Sequence, residues 1–96
     1  MDSREFESLA RETIAAHFNE TFDLHPTTVR VITPKDVYIV WSAKVLQNNK
    51  AILSTDVAKG LLYELTYNGD KDELYLDEYS KTINRKINMY HRHKEE

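Results

Sequence analysis

The stretch VYIVWSAKVL, residues 37–46, decides the fold of this chain. Apolar residues alternate along it, and a period of two is that of an extended strand with one face turned to a core. The face predicted to meet the core consists of Val37, Ile39, Trp41, Ala43 and Val45. The other face is mixed and consists of Tyr38, Val40, Ser42, Lys44 and Leu46. We therefore expect Trp41 to be buried and its replacement by alanine to cost about 3–5 kcal/mol.

More strands follow in the order of an antiparallel meander. They are predicted over residues 50–57, 61–67 and 73–77. Asn48 and Asn49 tolerate the backbone of a tight turn before the first of these, and Asn68-Gly69 is the strongest turn signal in the chain. A further piece, Thr27 to Thr33 between two prolines, suits an edge strand.

Two helices flank the strands. The first is predicted over residues 3–22, because its apolar and boundary residues recur at helical spacing and because Asp2 and Glu5 resemble a capping box. That helical stripe consists of Phe6, Leu9, Ala10, Thr13, Ile14, His17, Phe18 and Thr21. The second helix is predicted over residues 79–91, with a narrow stripe of Tyr79, Ile83, Ile87 and Tyr90.

The chain is thus predicted to be a single α+β domain over residues 1–96. The N-terminal helix packs on a four- to five-stranded antiparallel meander sheet, and a C-terminal helix follows. The chain has no cysteine, which excludes disulfides and thiolate chemistry. It begins without a secretory signal pattern and has no apolar run near the ~18 residues that span a bilayer, so we expect a cytoplasmic protein with no membrane contact.

Charge is unevenly distributed along the chain. Residues 1–80 contain fourteen acidic and eight basic residues, net −6, whereas residues 81–96 contain five basic and two acidic residues, net +3. An acidic body disfavours nucleic-acid binding, because affinity for phosphates comes chiefly from lysine and arginine. A partner protein with basic surface suits the body better.

The middle of the chain carries four specific pieces of sequence, written VWSxK, LQNNKAxLST, GxxYExTYNGDK and ExYxDxY. Together they lie between Val40 and Lys81, and this run resembles a family of small uncharacterised proteins of phages and prophages of Gram-positive bacteria. The resemblance implies a phage or prophage origin, and therefore the cytoplasm of a host cell. It implies no residue roles.

No set of residues predicts catalysis, a metal site or a cofactor. His91 and His93 alternate near the chain end without a supporting carboxylate, and His17 fits a core or boundary position better than that of a catalytic base. The acidic residues around Asp70 and Asp72 lack EF-hand spacing. We therefore expect a non-enzymatic protein.

The chain is rich in large aromatic residues, with six tyrosines and one tryptophan in 96 residues. Tyrosine and tryptophan often anchor protein interfaces. The leading hypothesis is an accessory protein of a phage that binds a host or phage protein, or a second copy of itself, for host takeover or counter-defence. Its predicted binding residues are Tyr38, Val40, Leu46 and Tyr75. Two arrangements of this second sheet face are open: the predicted C-terminal helix either packs on it and covers it, or leaves it exposed.

An alternative hypothesis is a nucleic-acid-associated protein of a phage replication module. It would use the basic residues of the C-terminal helix and tail. These are Lys81, Arg85, Lys86, Arg92 and Lys94.

Overall fold

The computed structural model of the chain describes residues 1–21, 30–58 and 60–89. It shows an α+β arrangement in which one helix lies on one face of an antiparallel sheet. The elements in chain order are helix α1 (Ser3–Glu20), a short 3-10 turn (Pro34–Asp36), and the strands β1 (Val37–Val45), β2 (Asn48–Thr55), β3 (Leu61–Asn68) and β4 (Glu73–Ser80). The sheet order is β1-β2-β3-β4, which confirms the predicted meander.

Helix α1 forms where the apolar stripe predicted it. Asp2 caps its start, since a side-chain oxygen of Asp2 accepts a hydrogen bond from the backbone N–H of Glu5 at 2.7 Å. That bond also lowers the pKa of Asp2. The stripe is buried against the sheet and consists of Phe6, Ala10, Ile14, Ala15 and Phe18. Burial of these side chains, more than helix propensity, holds an 18-residue helix in place.

The connection from α1 to β1 is held by side chains in its described part. Asn19 bonds both backbone groups of Ile32, donating to its carbonyl and accepting from its N–H, each at 2.8 Å. Arg30 and Asp36 then form a two-pronged ion pair at 3.0 and 3.1 Å. Residues 30–33 belong to no strand. The predicted edge strand over 27–33 is therefore wrong for these four residues, and 27–29 lie outside the described residues.

The sheet has a β-bulge in its first strand. Ile39 pairs with Leu53, but Trp41 pairs with the adjacent Ile52, so Val40 is an extra residue without a counterpart in β2. An extra residue reverses the alternation of everything that follows it. Trp41 therefore lies on the sheet face away from α1 and is 49% exposed, and the prediction that it is buried is wrong.

The two outer hairpins meet at one end of the sheet. The β1-β2 turn consists of Leu46 and Gln47, with Leu46 in the left-handed region (φ 56°), so the turn precedes the predicted Asn48-Asn49 pair. The predicted turn at Gly69 is confirmed. Glycine is required there by close packing, because a Cβ on Gly69 would overlap the carbonyl oxygen of Gln47.

The C-terminal helix is not seen. Strand β4 continues through Tyr79 to Ser80, and residues 81–89 are in neither a helix nor a strand. Residues 90–96 lie outside the described residues. The structure is therefore a two-layer arrangement of helix and sheet in the part of the chain that it describes.

Candidate functional site

The sheet has one face that α1 does not cover, here called the open face. Cross-strand partners share a face, so the register assigns its members. They are Tyr38, Trp41, Ala43, Val45, Asn48, Lys50, Ile52, Ser54, Leu62, Glu64, Thr66, Asn68, Glu73, Tyr75, Asp77 and Tyr79. No described helix or strand packs against this face.

Four large aromatic side chains stand on the open face at its two borders. Tyr38 and Trp41 lie on edge strand β1, whereas Tyr75 and Tyr79 lie on edge strand β4. Their exposed fractions run from 43% to 54%. With strands about 4.8 Å apart, the two borders are about 14 Å from one another. The open face therefore presents two aromatic rows with a narrower, more polar strip between them.

Charged side chains occupy that central strip. Lys50 and Glu64 form an ion pair at 2.9 Å, and the carboxylate of Glu64 raises the pKa of Lys50. Asp77 stands directly opposite Glu64 on β4, so two carboxylates share one nearby ammonium group. The centre of the open face is therefore net negative.

A shallow apolar depression lies beside the first aromatic row. Its lining includes Trp41, Val45, Lys50 and Thr66. A second depression lies at the opposite end of the sheet, between Leu62 and Tyr79. Both are open to solvent, and their shape suits protruding apolar side chains more than an enclosed small molecule.

The four predicted protein-binding residues are not all neighbours. Tyr38 and Tyr75 stand on the open face at opposite borders. Val40 is the exposed bulge residue, and Leu46 lies in the β1-β2 turn. Sequence reasoning missed two of the four aromatic residues on this face. Trp41 was missed because only the bulge brings it here, and Tyr79 was missed because it was assigned to the predicted C-terminal helix.

The structure describes three of the five basic residues that the alternative hypothesis names. Lys81, Arg85 and Lys86 are exposed in the segment after β4. That segment is not helical, so the three do not form a helical face. Arg92 and Lys94 lie outside the described residues.

Ionisable groups also lie beneath α1. The ring of His17 is 3.2 Å from a carboxylate oxygen of Glu78 and stands edge-on to the ring of Tyr63 at 5.9 Å between centroids. Burial, together with the nearby Glu78, raises the pKa of Tyr63 to about 12. Its hydroxyl is buried without a hydrogen-bond partner. The contact between His17 and Glu78 ties the helix to β4.

The described residues offer neither a metal-binding cluster nor a membrane-spanning helix. Within residues 1–21, 30–58 and 60–89, no three histidine or acidic side chains come together in a way that could hold a metal ion. In the same ranges, no helix has the length and apolar character needed to cross a bilayer.

A match to one protein family covers most of the chain. A family model described as a family of unknown function, DUF6275, matches residues 7–89. The chain belongs to the DUF6275 family. The match spans α1 from residue 7 onward and all four strands, so the open face lies within the DUF6275 region. No curated protein and no solved structure matches the chain.

Proposed function

We propose that this chain is a non-enzymatic binding protein that recognises another protein through the open face. The observation that carries the proposal is the set of four half-exposed aromatic side chains on a single sheet face. Exposed apolar patches that are bordered by polar residues are typical of protein interaction sites.

The side chains of the open face favour a partner surface of a particular chemistry. Tyrosine and tryptophan supply large contact areas at a small cost in side-chain entropy, and they dominate the energetics of many interfaces. The carboxylates of Glu64 and Asp77 between the aromatic rows favour a basic group on the partner. The partner surface is therefore apolar at two places and basic between them.

The biological setting is proposed on the resemblance of residues 40–81. That run resembles phage and prophage proteins, which supports an accessory protein acting in the host cytoplasm. Its target would be a host or phage protein, bound for host takeover or counter-defence.

Nucleic-acid binding remains the second candidate. The exposed Lys81, Arg85 and Lys86 favour it, since residues 81–89 contain no acid. The neighbouring strand β4 contains three acids, which oppose it. A mobility shift with DNA at low salt that disappears steeply as salt is added would support this candidate over protein binding.

The proposal is tested by affinity capture with matched variants. The double variant Trp41→Ser/Tyr75→Ser removes one aromatic residue from each border of the open face. The control Val31→Ser removes an exposed apolar side chain from the connection between α1 and β1, away from this face.

The wild-type chain and the control should recover the same host or phage protein, and the double variant should lose it. Circular dichroism should show all three proteins folded. Recovery of the same partner by the double variant, or of no partner by the wild type, would contradict the proposal.

A further inference from the structure

Strand β4 forms one border of the sheet, and its outer edge lies on the side away from β3. Among the described residues no strand pairs with that edge. The backbone groups of such an edge form a template for another strand. Strand β4 contains Glu73, Asp77 and Glu78 and no base, so it is net −3.

The segment that follows β4 has the opposite charge. Residues 81–89 contain Lys81, Arg85 and Lys86 and no acid, so the segment is net +3. Its apolar side chains are exposed, with Ile83 at 77% and Ile87 at 66%. The backbone N–H of Lys81 still bonds the carbonyl of Gly60 at 2.7 Å, just before β3 begins. The pairing of the chain with β3 therefore ends at Lys81.

The two stretches also share a period of two. Along β4, Tyr75, Asp77 and Tyr79 stand on the open face. Along the next segment, the residues at the same spacing are Ile83, Arg85 and Ile87. An extended segment would therefore present an apolar, basic, apolar row to an aromatic, acidic, aromatic row.

Antiparallel pairing about Lys81 brings these rows together. Ile83 then stands opposite Tyr79, Arg85 opposite Asp77, and Ile87 opposite Tyr75. Within one chain this register is impossible, because Lys81 would have to pair with itself without a turn. Between two copies it is the symmetric register of a two-fold axis.

We propose that two copies of this chain pair along β4, with residues 81–89 of each copy extending along the β4 edge of the other. The product is a continuous eight-stranded sheet with two Arg85–Asp77 ion pairs. The register also sets Lys81 opposite its own copy, a like-charge contact that the two ion pairs offset. Paired residues share a face, so both open faces lie on the same side of the sheet. The pairing involves Tyr75, Asp77 and Tyr79 at the β4 border of the open face, and it leaves the β1 border with Tyr38 and Trp41 exposed for another protein.

The test uses charge reversal in the full chain. Asp77→Lys places two lysine–arginine contacts at the interface, and Arg85→Glu places two glutamate–aspartate contacts there. Each variant alone should weaken self-association about tenfold or more, since attraction becomes repulsion at two symmetric sites. An equimolar mixture of the two variants should associate again, because both contacts between positions 77 and 85 in the mixed dimer are between opposite charges.

Light scattering after size exclusion, over a range of concentrations, measures the result. Wild type and the mixture should approach twice the 11.3 kDa chain mass, and each variant alone should approach 11.3 kDa. A wild type that stays monomeric would overturn the proposal. Variants that dimerise as wild type does, or a mixture that stays monomeric, would overturn it too. The open-face capture experiment is read separately, so failure here leaves that result intact.

Discussion

Trp41 shows how one backbone feature changes the role of a residue. Its position in the sequence favours the core, yet the extra residue Val40 turns it to the open face. The face toward α1 is continued instead by Ser42 and Lys44, and the ammonium group of Lys44 bonds the carbonyl of Met1 at 2.6 Å. Alternation cannot reveal this reversal, because apolar residues occur on both sides of the β1 pattern.

The bulge predicts a small cost for removing Trp41. Trp41→Ala should lower the free energy of unfolding by about 1 kcal/mol or less, because a half-exposed side chain leaves no closed cavity. The matched core change Leu53→Ala, at a fully buried position, should cost about 2–5 kcal/mol. Urea denaturation measures both, and a Trp41→Ala cost equal to that of Leu53→Ala would contradict the assigned register.

Gly69 predicts a larger effect than its exposed turn suggests. Gly69→Ala should destabilise the fold by about 1–3 kcal/mol, because the new methyl group would overlap backbone that cannot rotate away. The neighbouring Asp70→Ala change is the control and should be nearly neutral. Thermal unfolding of both variants measures the difference, and equal midpoints would show that the two hairpin turns do not touch.

At the scale of elements, the connection before β1 is predicted to weaken in acid. Hydrogen bonds from Arg30, and then from the backbone N–H of Thr33, lower the pKa of Asp36 from 3.8 to about 2. A folded-state pKa below the unfolded value contributes stability above pH 3.8, and this contribution is lost as the pH falls toward about 2.

Asp36→Asn should therefore be less stable than wild type at neutral pH. The difference between the two proteins should shrink across the same acidic window. Arg30→Gln removes the partner instead and should give a similar pH profile. Urea midpoints measured through the window test this, and a difference that stays constant with pH would contradict the assigned ion pair.

The sequence of the segment after β4 explains why the prediction of a C-terminal helix was wrong. Tyr79, Ile83 and Ile87 are four residues apart, which fits a helical stripe, but four is also a multiple of two and fits a strand. Periodicity alone does not separate the two states for a short apolar pattern. In the structure Tyr79 belongs to β4, because the pairing with β3 continues past it: Ser80 pairs with Leu61, and the backbone N–H of Lys81 bonds the carbonyl of Gly60.

At the scale of the molecule, the sequence predicted the helix layer and the sheet layer better than it predicted which residues stand on each face of the sheet. The helix and the antiparallel meander followed from apolar periods and from Asn-Gly turn chemistry. The open face followed only in part, since Tyr38 and Tyr75 were identified but Trp41 was assigned to the core and Tyr79 to a C-terminal helix. Register and bulges depend on contacts between strands, and a single strand's pattern does not contain them.

The proposed function requires an aromatic sheet face that is open to solvent. Trp41 is the only tryptophan in the chain, so its fluorescence reports on this face without interference. Acrylamide quenching of the isolated native protein measures its exposure directly. We predict quenching in the native state that is a substantial fraction of that in the urea-unfolded state, whereas a native tryptophan shielded from acrylamide would contradict the open face.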